Sequence, residues 1–275
     1  MMGFFLRTMM EKQMHLQNKA LNYSISGKGS TVVLLHGFLE SLRIWDRFAA
    51  ALSGQYRVIC IDLPGFGKSE VYGEIHRMEF MADAVKAVLE YEGISNCLMA
   101  GHSMGGYVGL AFAKKYPEML AGLSLFHSHA APDDEETRRK RDRTVKVVQK
   151  GKASFVYAFI PELFAPENRD KFRKEISRMQ EWGKETNAEG IVAALRGMKE
   201  RESGLSTLMS MNVPLHFIIG KQDPRIPYEK LLSQASLAGH ADITFLDGVG
   251  HMGFIEAKKE TLGSLQNFVS TCFDL

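Results

Sequence analysis

A strand-turn-helix pattern around a serine constrains this chain more than any other feature. The apolar run over residues 94–100 is typical of a buried strand, and it leads directly into Gly101-x-Ser103-x-Gly105. A helix-forming run over residues 107–116 follows at once. In so tight a turn the serine takes a strained backbone conformation, and side chains two positions away on either side would collide. The pattern therefore predicts that the Ser103 hydroxyl projects from the end of a strand at a helix N-terminus.

The predicted position of Ser103 favours nucleophilic chemistry. The free N–H groups and the positive dipole end of a helix N-terminus stabilise a developing negative charge. A serine hydroxyl alone is a weak nucleophile, so a histidine base and an acid must come from elsewhere in the chain. The same residues also fit a glycine- and serine-rich turn without chemistry, and the rest of the chain has to decide between the two interpretations.

Strands alternate with helices on both sides of this motif. The runs at residues 31–35 and 56–61 are apolar and β-branched, as expected for strands buried on both faces of a parallel sheet. Further strands are predicted at residues 120–126, 214–219 and 242–246. This alternation predicts an α/β fold, with a mostly parallel twisted sheet and helices on both faces. The chain has 275 residues, which is long enough for such a core.

Residues 132–205 interrupt the alternation. They hold no strand-like run and carry 17 of the 34 Lys and Arg residues of the chain. We therefore predict a helical insertion after strand six, between two parts of a core domain formed by residues 15–131 and 206–275. The basic residues fit either a solvated helical surface or an anion-binding surface. Four helix-like segments make up the insertion: residues 135–149, 153–164, 169–183 and 188–201.

Composition excludes several classes of protein. A net charge of +2 is too small to indicate nucleic acid or an anionic membrane as the main partner. The three cysteines (Cys60, Cys97 and Cys272) are odd in number and do not suggest a disulfide framework. No apolar stretch reaches the length of a membrane span. Residues 1–14 lack the regions of a signal peptide, so we expect a flexible leader there and a cytoplasmic protein.

Three residues suited to serine-based nucleophilic catalysis each follow a predicted strand. The carboxyl ends of parallel strands share one edge of the sheet, so Ser103, Asp223 and His251 can converge there. Nucleophile, acid, histidine is one of the few known orders for this apparatus. In this hypothesis His251 takes the Ser103 proton and Asp223 orients the imidazole. The backbone N–H groups of Phe38 and Met104 would form the oxyanion hole.

Other residues near the predicted site have local interpretations. Asp62 and Asp247 also lie beside predicted strands, but both fit turn positions better than the role of the acid. His102 flanks the serine and His36 lies in the loop after a strand. For both histidines, packing or local hydrogen bonding is favoured over the role of the base.

Three further residues are candidates for lining a substrate pocket. Tyr107 follows the serine turn directly, which brings it close to the proposed nucleophile. His127 and His129 stand where the sheet passes into the helical insertion, so either of them could line the pocket or serve in loop packing.

These motifs together resemble the α/β-hydrolase superfamily over nearly the whole chain. The resemblance implies that the insertion is a cap over the pocket, and it extends to small capped carboxylesterases, including acyl-carrier-protein methyl ester esterases. The chain is also similar to the menaquinone-pathway lyase that uses the same triad. The residues that carry the resemblance are His36-Gly37-Phe38, the turn at residues 62–69, Gly101-x-Ser103-x-Gly105-Gly106, Gly220-x-x-Asp223 and Gly250-His251.

The resemblance implies a serine hydrolase without metal or cofactor. Its expected substrate is a carboxylic ester or thioester of small to medium size and largely apolar character, cleaved through an acyl-enzyme on Ser103. Two alternatives stay open. One is a lyase or C–C bond hydrolase that uses the triad on a carboxylated substrate, and the other is a receptor that binds a ligand without turnover.

Overall fold

The computed structural model describes residues 9–273, which form an eight-stranded sheet with helices packed against it. The strand order is β1-β2-β4-β3-β5-β6-β7-β8. β1 and β2 pair antiparallel with their neighbours and the other strands pair in parallel, which confirms the predicted fold class. The strands are β1 (Met10–Leu16), β2 (Lys19–Ser26), β3 (Thr31–Leu35), β4 (Arg57–Ile61), β5 (Cys97–His102), β6 (Leu120–Phe126), β7 (Leu215–Gly220) and β8 (Ala241–Leu246).

Helices lie on both faces of the sheet. A Cβ built on Gly109 would lie 2.8 Å from Leu123, and one built on Gly122 would lie 3.3 Å from Phe268. Because Gly122 and Leu123 are consecutive in β6, they point to opposite faces, so α3 and α10 cover opposite sides. The helices are α1 (Asp46–Leu52), α2 (Met78–Tyr91), α3 (Met104–Lys115), α4 (Glu135–Phe159), α5 (Arg173–Glu185), α6 (Ala188–Glu200), α7 (Leu205–Ser210), α8 (Tyr228–Ala235), α9 (Gly253–Glu256) and α10 (Lys258–Phe273).

The prediction of a flexible leader over residues 1–14 is wrong for residues 10–14. They belong to β1, which forms a hairpin with β2. Gln17 and Asn18 connect the two strands with φ values of 51° and 62°, the backbone conformation that a tight two-residue hairpin turn requires. Residues 1–8 of the predicted leader lie outside the described residues.

Helices α4, α5 and α6 form the insertion between β6 and β7. Two of the predicted segments join into α4 across a kink at Gly151. Helix α6 lies directly on the loop between β4 and α2, since a Cβ on Gly190 would be 2.2 Å from the Gly65 carbonyl oxygen and one on Gly197 would be 1.7 Å from that of His76. Within residues 9–273, no helix has both the length and the apolar character needed to cross a membrane.

Candidate active site

The turn between β5 and α3 holds Ser103 in a strained conformation. Its φ is 50°, which is unusual for a residue other than glycine, and its N–H donates to the Phe126 carbonyl at 2.9 Å. A Cβ on Gly101 would lie 2.3 Å from the carbonyl of Gly105, and one on Gly105 would lie 2.4 Å from the Leu35 carbonyl oxygen. The backbone leaves no room for a side chain at either glycine, for the steric reason that the sequence indicated.

A chain of hydrogen bonds joins Ser103, His251 and Asp223. The Ser103 Oγ lies 2.9 Å from His251 Nε2, and His251 Nδ1 lies 2.7 Å from Asp223 Oδ2. The other carboxylate oxygen accepts the N–H groups of Arg225 and Ile226 at 2.7 and 3.1 Å. The structure thus brings together three side chains that follow β5, β7 and β8, and it fixes the carboxylate through both oxygens.

The charge state of Asp223 determines the tautomer of His251. Burial raises the pKa of Asp223, but the neighbouring His251 and His127 outweigh burial, and the pKa lies well below its ordinary value. An ionised carboxylate only accepts hydrogen bonds, so His251 must donate its Nδ1–H to Asp223. The Nε2 of a neutral ring then presents a lone pair to the Ser103 hydroxyl. This arrangement lets the imidazole accept the hydroxyl proton.

Of the two possibilities left open for His127, the structure contradicts pocket lining, because this side chain lies against Asp223 and not among the residues that line the cavity. Its side chain is fully buried, with Nδ1 3.6 Å from Asp223 Oδ2 and 3.3 Å from the Gly220 N–H, which donates to it. His127 directly follows β6 and has a φ of 46°, and the neighbouring end of β7 encloses it. Burial lowers the pKa of His127 to about 4.

A cavity of about 150 Å³ adjoins Ser103 and His251. Tyr107 and His129 line it, and the Tyr107 hydroxyl lies 3.1 Å from His129 Nε2. The charged side chains of the lining come from separate segments without a shared motif, so the sequence pointed to Arg141 only as one of the basic residues of the insertion and did not point to the others. The remaining lining residues are apolar (Phe38, Pro132, Phe159, Leu163, Met198 and Ile226), charged (Glu40, Asp133, Asp134, Arg141, Arg225 and Lys230) or polar (His102 and Thr137).

A buried ion cluster joins the two ends of the helical insertion beside this cavity. Asp133, which precedes α4, pairs with both Arg141 and Arg201, and Arg201 directly follows α6. The Arg201 guanidinium carbon lies 3.9 Å from the centre of the Tyr107 ring. Burial raises the pKa of Asp133, but the two arginines outweigh burial and hold it below its ordinary value. Burial, reinforced by Arg201, lowers the pKa of His129 well below its ordinary value.

A second buried pair connects the loop after β3 with the loop that carries His251. Glu40 Oε2 accepts the Gly37 N–H at 2.6 Å and the His102 Nδ1–H at 2.9 Å. His102 Nε2 donates to the His251 carbonyl at 2.9 Å. Because both partners of the ring only accept, His102 must carry a proton on each nitrogen. Burial opposes both charges, but Glu40 raises the pKa of His102 and His102 lowers that of Glu40.

The two N–H groups predicted for an oxyanion hole are both without an acceptor. Phe38 lies in the loop after β3 and Met104 opens α3, and neither N–H makes a hydrogen bond within residues 9–273. A helix's first N–H groups have no intrahelical acceptor, which accounts for Met104. Phe38 also lines the cavity next to Ser103.

The other candidate acids and bases are engaged in local structure. Asp62 accepts the N–H groups of Leu42 and Lys68 at 2.8 and 2.9 Å. His36 Nε2 accepts a hydrogen bond from the Leu63 backbone N–H, and Asp247 forms an ion pair with Lys221. These residues hold loops in place, as the sequence had favoured.

Residues 30–258 match the family model described as alpha/beta hydrolase fold, so the chain belongs to this family of hydrolases. It is similar to a pimeloyl-[acyl-carrier protein] methyl ester esterase of Aeromonas hydrophila subsp. hydrophila, with 25% identity over 88% of this chain and 96% of that protein. A solved thermophilic esterase from Thermogutta terrifontis with malate bound has a TM-score of 0.89 and 27% identity, over 96% of this chain and 99% of that one.

A third similarity is local. A dihydrolipoyllysine-residue acetyltransferase component of the acetoin cleaving system of Pseudomonas putida is 38% identical over 107 residues. This match spans 38% of the present chain and 29% of the acetyltransferase component.

Proposed function

We propose that the protein is a serine hydrolase that cleaves a carboxylic ester or thioester through an acyl-enzyme on Ser103. One observation carries the proposal: two hydrogen bonds of 2.9 and 2.7 Å link the Ser103 hydroxyl through His251 to an ionised Asp223. A weakly nucleophilic hydroxyl needs such a base, and the base needs such an acid to orient it. The similarity to two esterases supports the same reaction class.

The reaction would proceed in two halves. His251 takes the Ser103 proton as Oγ attacks the ester carbonyl, and the oxygen of the tetrahedral intermediate accepts the free N–H groups of Phe38 and Met104. His251 then gives the proton to the departing alcohol or thiol, which leaves an acyl group on Ser103. In the second half His251 activates a water, which releases the acid and restores the serine. No step requires a metal or a cofactor.

The cavity favours a small to medium substrate with an apolar part. Phe38 and Ile226 of the core and Phe159 and Leu163 of the insertion contribute apolar lining beside Ser103. Ligand sites of this kind use apolar walls for affinity and a few polar groups for orientation. In this proposal residues 132–205 act as a cap, because side chains from them, among them Phe159, Leu163 and Met198, line the cavity next to Ser103.

Covalent labelling with a fluorophosphonate probe tests the nucleophile. We expect the wild-type protein to be labelled and the Ser103→Ala variant to remain unlabelled, with kcat for a p-nitrophenyl ester lowered by at least about 10⁴-fold. Ser154→Ala is the matched control, since Ser154 is exposed on α4 and should label like wild type. Undiminished labelling of the Ser103→Ala variant would assign the nucleophile elsewhere.

Mass spectrometry of the acylated protein separates hydrolysis from the two alternatives. A hydrolase gives a transient acyl adduct on the peptide that contains Ser103, followed by free acid. Cleavage of a carboxylated substrate with no such adduct would indicate a lyase or C–C bond hydrolase. A single acylation that is never released would indicate a receptor.

A further inference from the structure

The carboxylates that line the cavity already have partners in the protein. Glu40 is paired with His102, and Asp133 is held between two arginines. Asp134 caps α4 by accepting the Thr137 N–H at 2.8 Å. The two buried acidic groups of the lining, Glu40 and Asp133, are therefore paired with cations before any ligand binds, whereas Asp134 is exposed and interacts with Lys230 only through space.

Two cations of the same lining have no carboxylate partner. Arg225 and Lys230 both border the cavity, and neither forms an ion pair with any residue in the range 9–273. Both residues are exposed, whereas His251 is buried and Ser103 is half-buried. These two cations therefore lie on the solvent side of the cavity, where Asp223 and Asp134 act on them only through space, and the reacting hydroxyl lies deeper.

Arg225 is positioned for binding in two ways. Its backbone N–H donates to Asp223 Oδ1 at 2.7 Å, so its main chain is held by the catalytic acid. Its guanidinium carbon lies 5.0 Å from the centre of the Phe159 ring, a cation–π contact with the last residue of α4. Within residues 9–273 the guanidinium N–H groups of Arg225 donate no hydrogen bond, so they are available for a planar anion.

We propose that Arg225, assisted by Lys230, forms an anion subsite that selects esters bearing a free carboxylate, such as half-esters of dicarboxylic acids. The inference rests on the proposed ester hydrolysis at Ser103 and adds the class of substrate. The ester group occupies the inner part of the cavity beside Ser103, and the free carboxylate lies at its mouth. A carboxylate matches the fork of one guanidinium, which can donate two parallel hydrogen bonds to it.

Matched pairs of esters test the subsite. The monomethyl esters of dicarboxylic acids with four to eight carbons are compared with methyl esters of monocarboxylic acids of equal chain length. We expect wild-type kcat/KM to be at least about tenfold higher for the half-ester, since hydrogen bonds to charged groups typically contribute that much or more. The free dicarboxylate should inhibit competitively, which gives a readout of binding that does not depend on turnover.

Variants assign the preference to particular side chains. Arg225→Gln should lower the ratio of the two kcat/KM values about tenfold and raise the inhibition constant of the dicarboxylate. Arg225→Lys should keep part of the ratio, because the charge remains and the planar fork is lost. Lys230→Gln should have a smaller effect. Arg139→Gln is the control, since Arg139 pairs with Glu135 on the exposed face of α4 and carries the same charge away from the cavity.

The outcomes separate the subsite from the chemistry. Wild-type protein that hydrolyses both esters of a pair equally well overturns the subsite and leaves the serine hydrolase intact. A fall of equal size for both esters in Arg225→Gln would show that the arginine positions Asp223, which also overturns the subsite. If no ester is hydrolysed and the fluorophosphonate does not react, the proposed function itself fails.

Discussion

Replacement of Glu40 by glutamine tests the buried link between the loop after β3 and the loop that carries His251. In the wild type, the doubly protonated His102 donates to Glu40 at 2.9 Å and to the His251 carbonyl at 2.9 Å. Without the carboxylate, burial favours a neutral ring. A neutral ring has one N–H for two acceptors, and the glutamine NH2 can donate to the other ring nitrogen only by replacing the oxygen that accepts the Gly37 N–H, so Glu40→Gln must break at least one of these three bonds.

The structure sets the size of the effect. Leaving a buried polar group without its partner lowers the free energy of unfolding by about 1–3 kcal/mol. Because a charge-assisted hydrogen bond is lost here, we expect a value in the upper part of that range. For a chain of this size, about 2–3 kcal/mol corresponds to a Tm lower by about 3–5 °C. We also expect a lower kcat, because Glu40 holds the Gly37 N–H at 2.6 Å and the adjacent Phe38 supplies a proposed oxyanion donor.

The effect depends on pH in a direction that follows from the two pKa shifts. Glu40 has a lowered pKa, so its contribution to folding stability is fully present above the ordinary pKa of 4.5 and is lost as the pH falls through the folded-state pKa. His102 has a raised pKa, so its contribution to folding stability is fully present below the ordinary pKa of 6.5 and is lost as the pH rises through the folded-state pKa. The difference between wild type and Glu40→Gln should be largest between pH 4.5 and 6.5.

Thermal unfolding at pH 5.5 and pH 9 measures this difference directly. Glu260→Gln serves as the control, since Glu260 is exposed on α10 and the same loss of charge there should leave Tm within about 1 °C. A Glu40→Gln protein with wild-type Tm at pH 5.5 would refute the buried ion pair. A Tm difference that grows towards pH 9 would refute the assigned protonation of His102.

Two further predictions concern packing and buried titratable groups. Gly105→Ala should lower the free energy of unfolding by more than about 3 kcal/mol or prevent folding, because the new Cβ would lie 2.4 Å from the Leu35 carbonyl oxygen. Urea titration measures this change. In the same titration the control Gly263→Ala should be neutral or slightly stabilising, because a Cβ at Gly263 has nothing within 4 Å. His216 is buried with a pKa lowered from 6.5 to about 4, so it is neutral when folded and protonated when unfolded between these pH values, and stability falls as the pH decreases. Between pH 7 and pH 4, the free energy of unfolding of His216→Asn should therefore fall by up to about 3 kcal/mol less than that of the wild type. An equal fall in both proteins would contradict the buried neutral imidazole.

The sequence by itself determined the elements whose signals are local. The predicted strands at residues 31–35 and 120–126 have the observed bounds of β3 and β6, because an apolar run buried on both faces is visible without knowledge of its neighbours. The glycines at 101 and 105 followed from the sterics of one turn. The positions of Ser103, Asp223 and His251 after strands also followed from the alternation, while their catalytic roles remain a proposal.

Only the tertiary structure decided which side chains meet. In the fold, His127 is buried against Asp223, and Glu40 pairs with His102, which is 62 positions away in sequence. Arg225, which forms no ion pair within residues 9–273, lines the cavity. It also paired residues 10–14 with β2, where the sequence suggested a leader. Periodicity reports that a residue is buried, but its partner depends on the strand order and on the paths of the loops, which no local pattern contains.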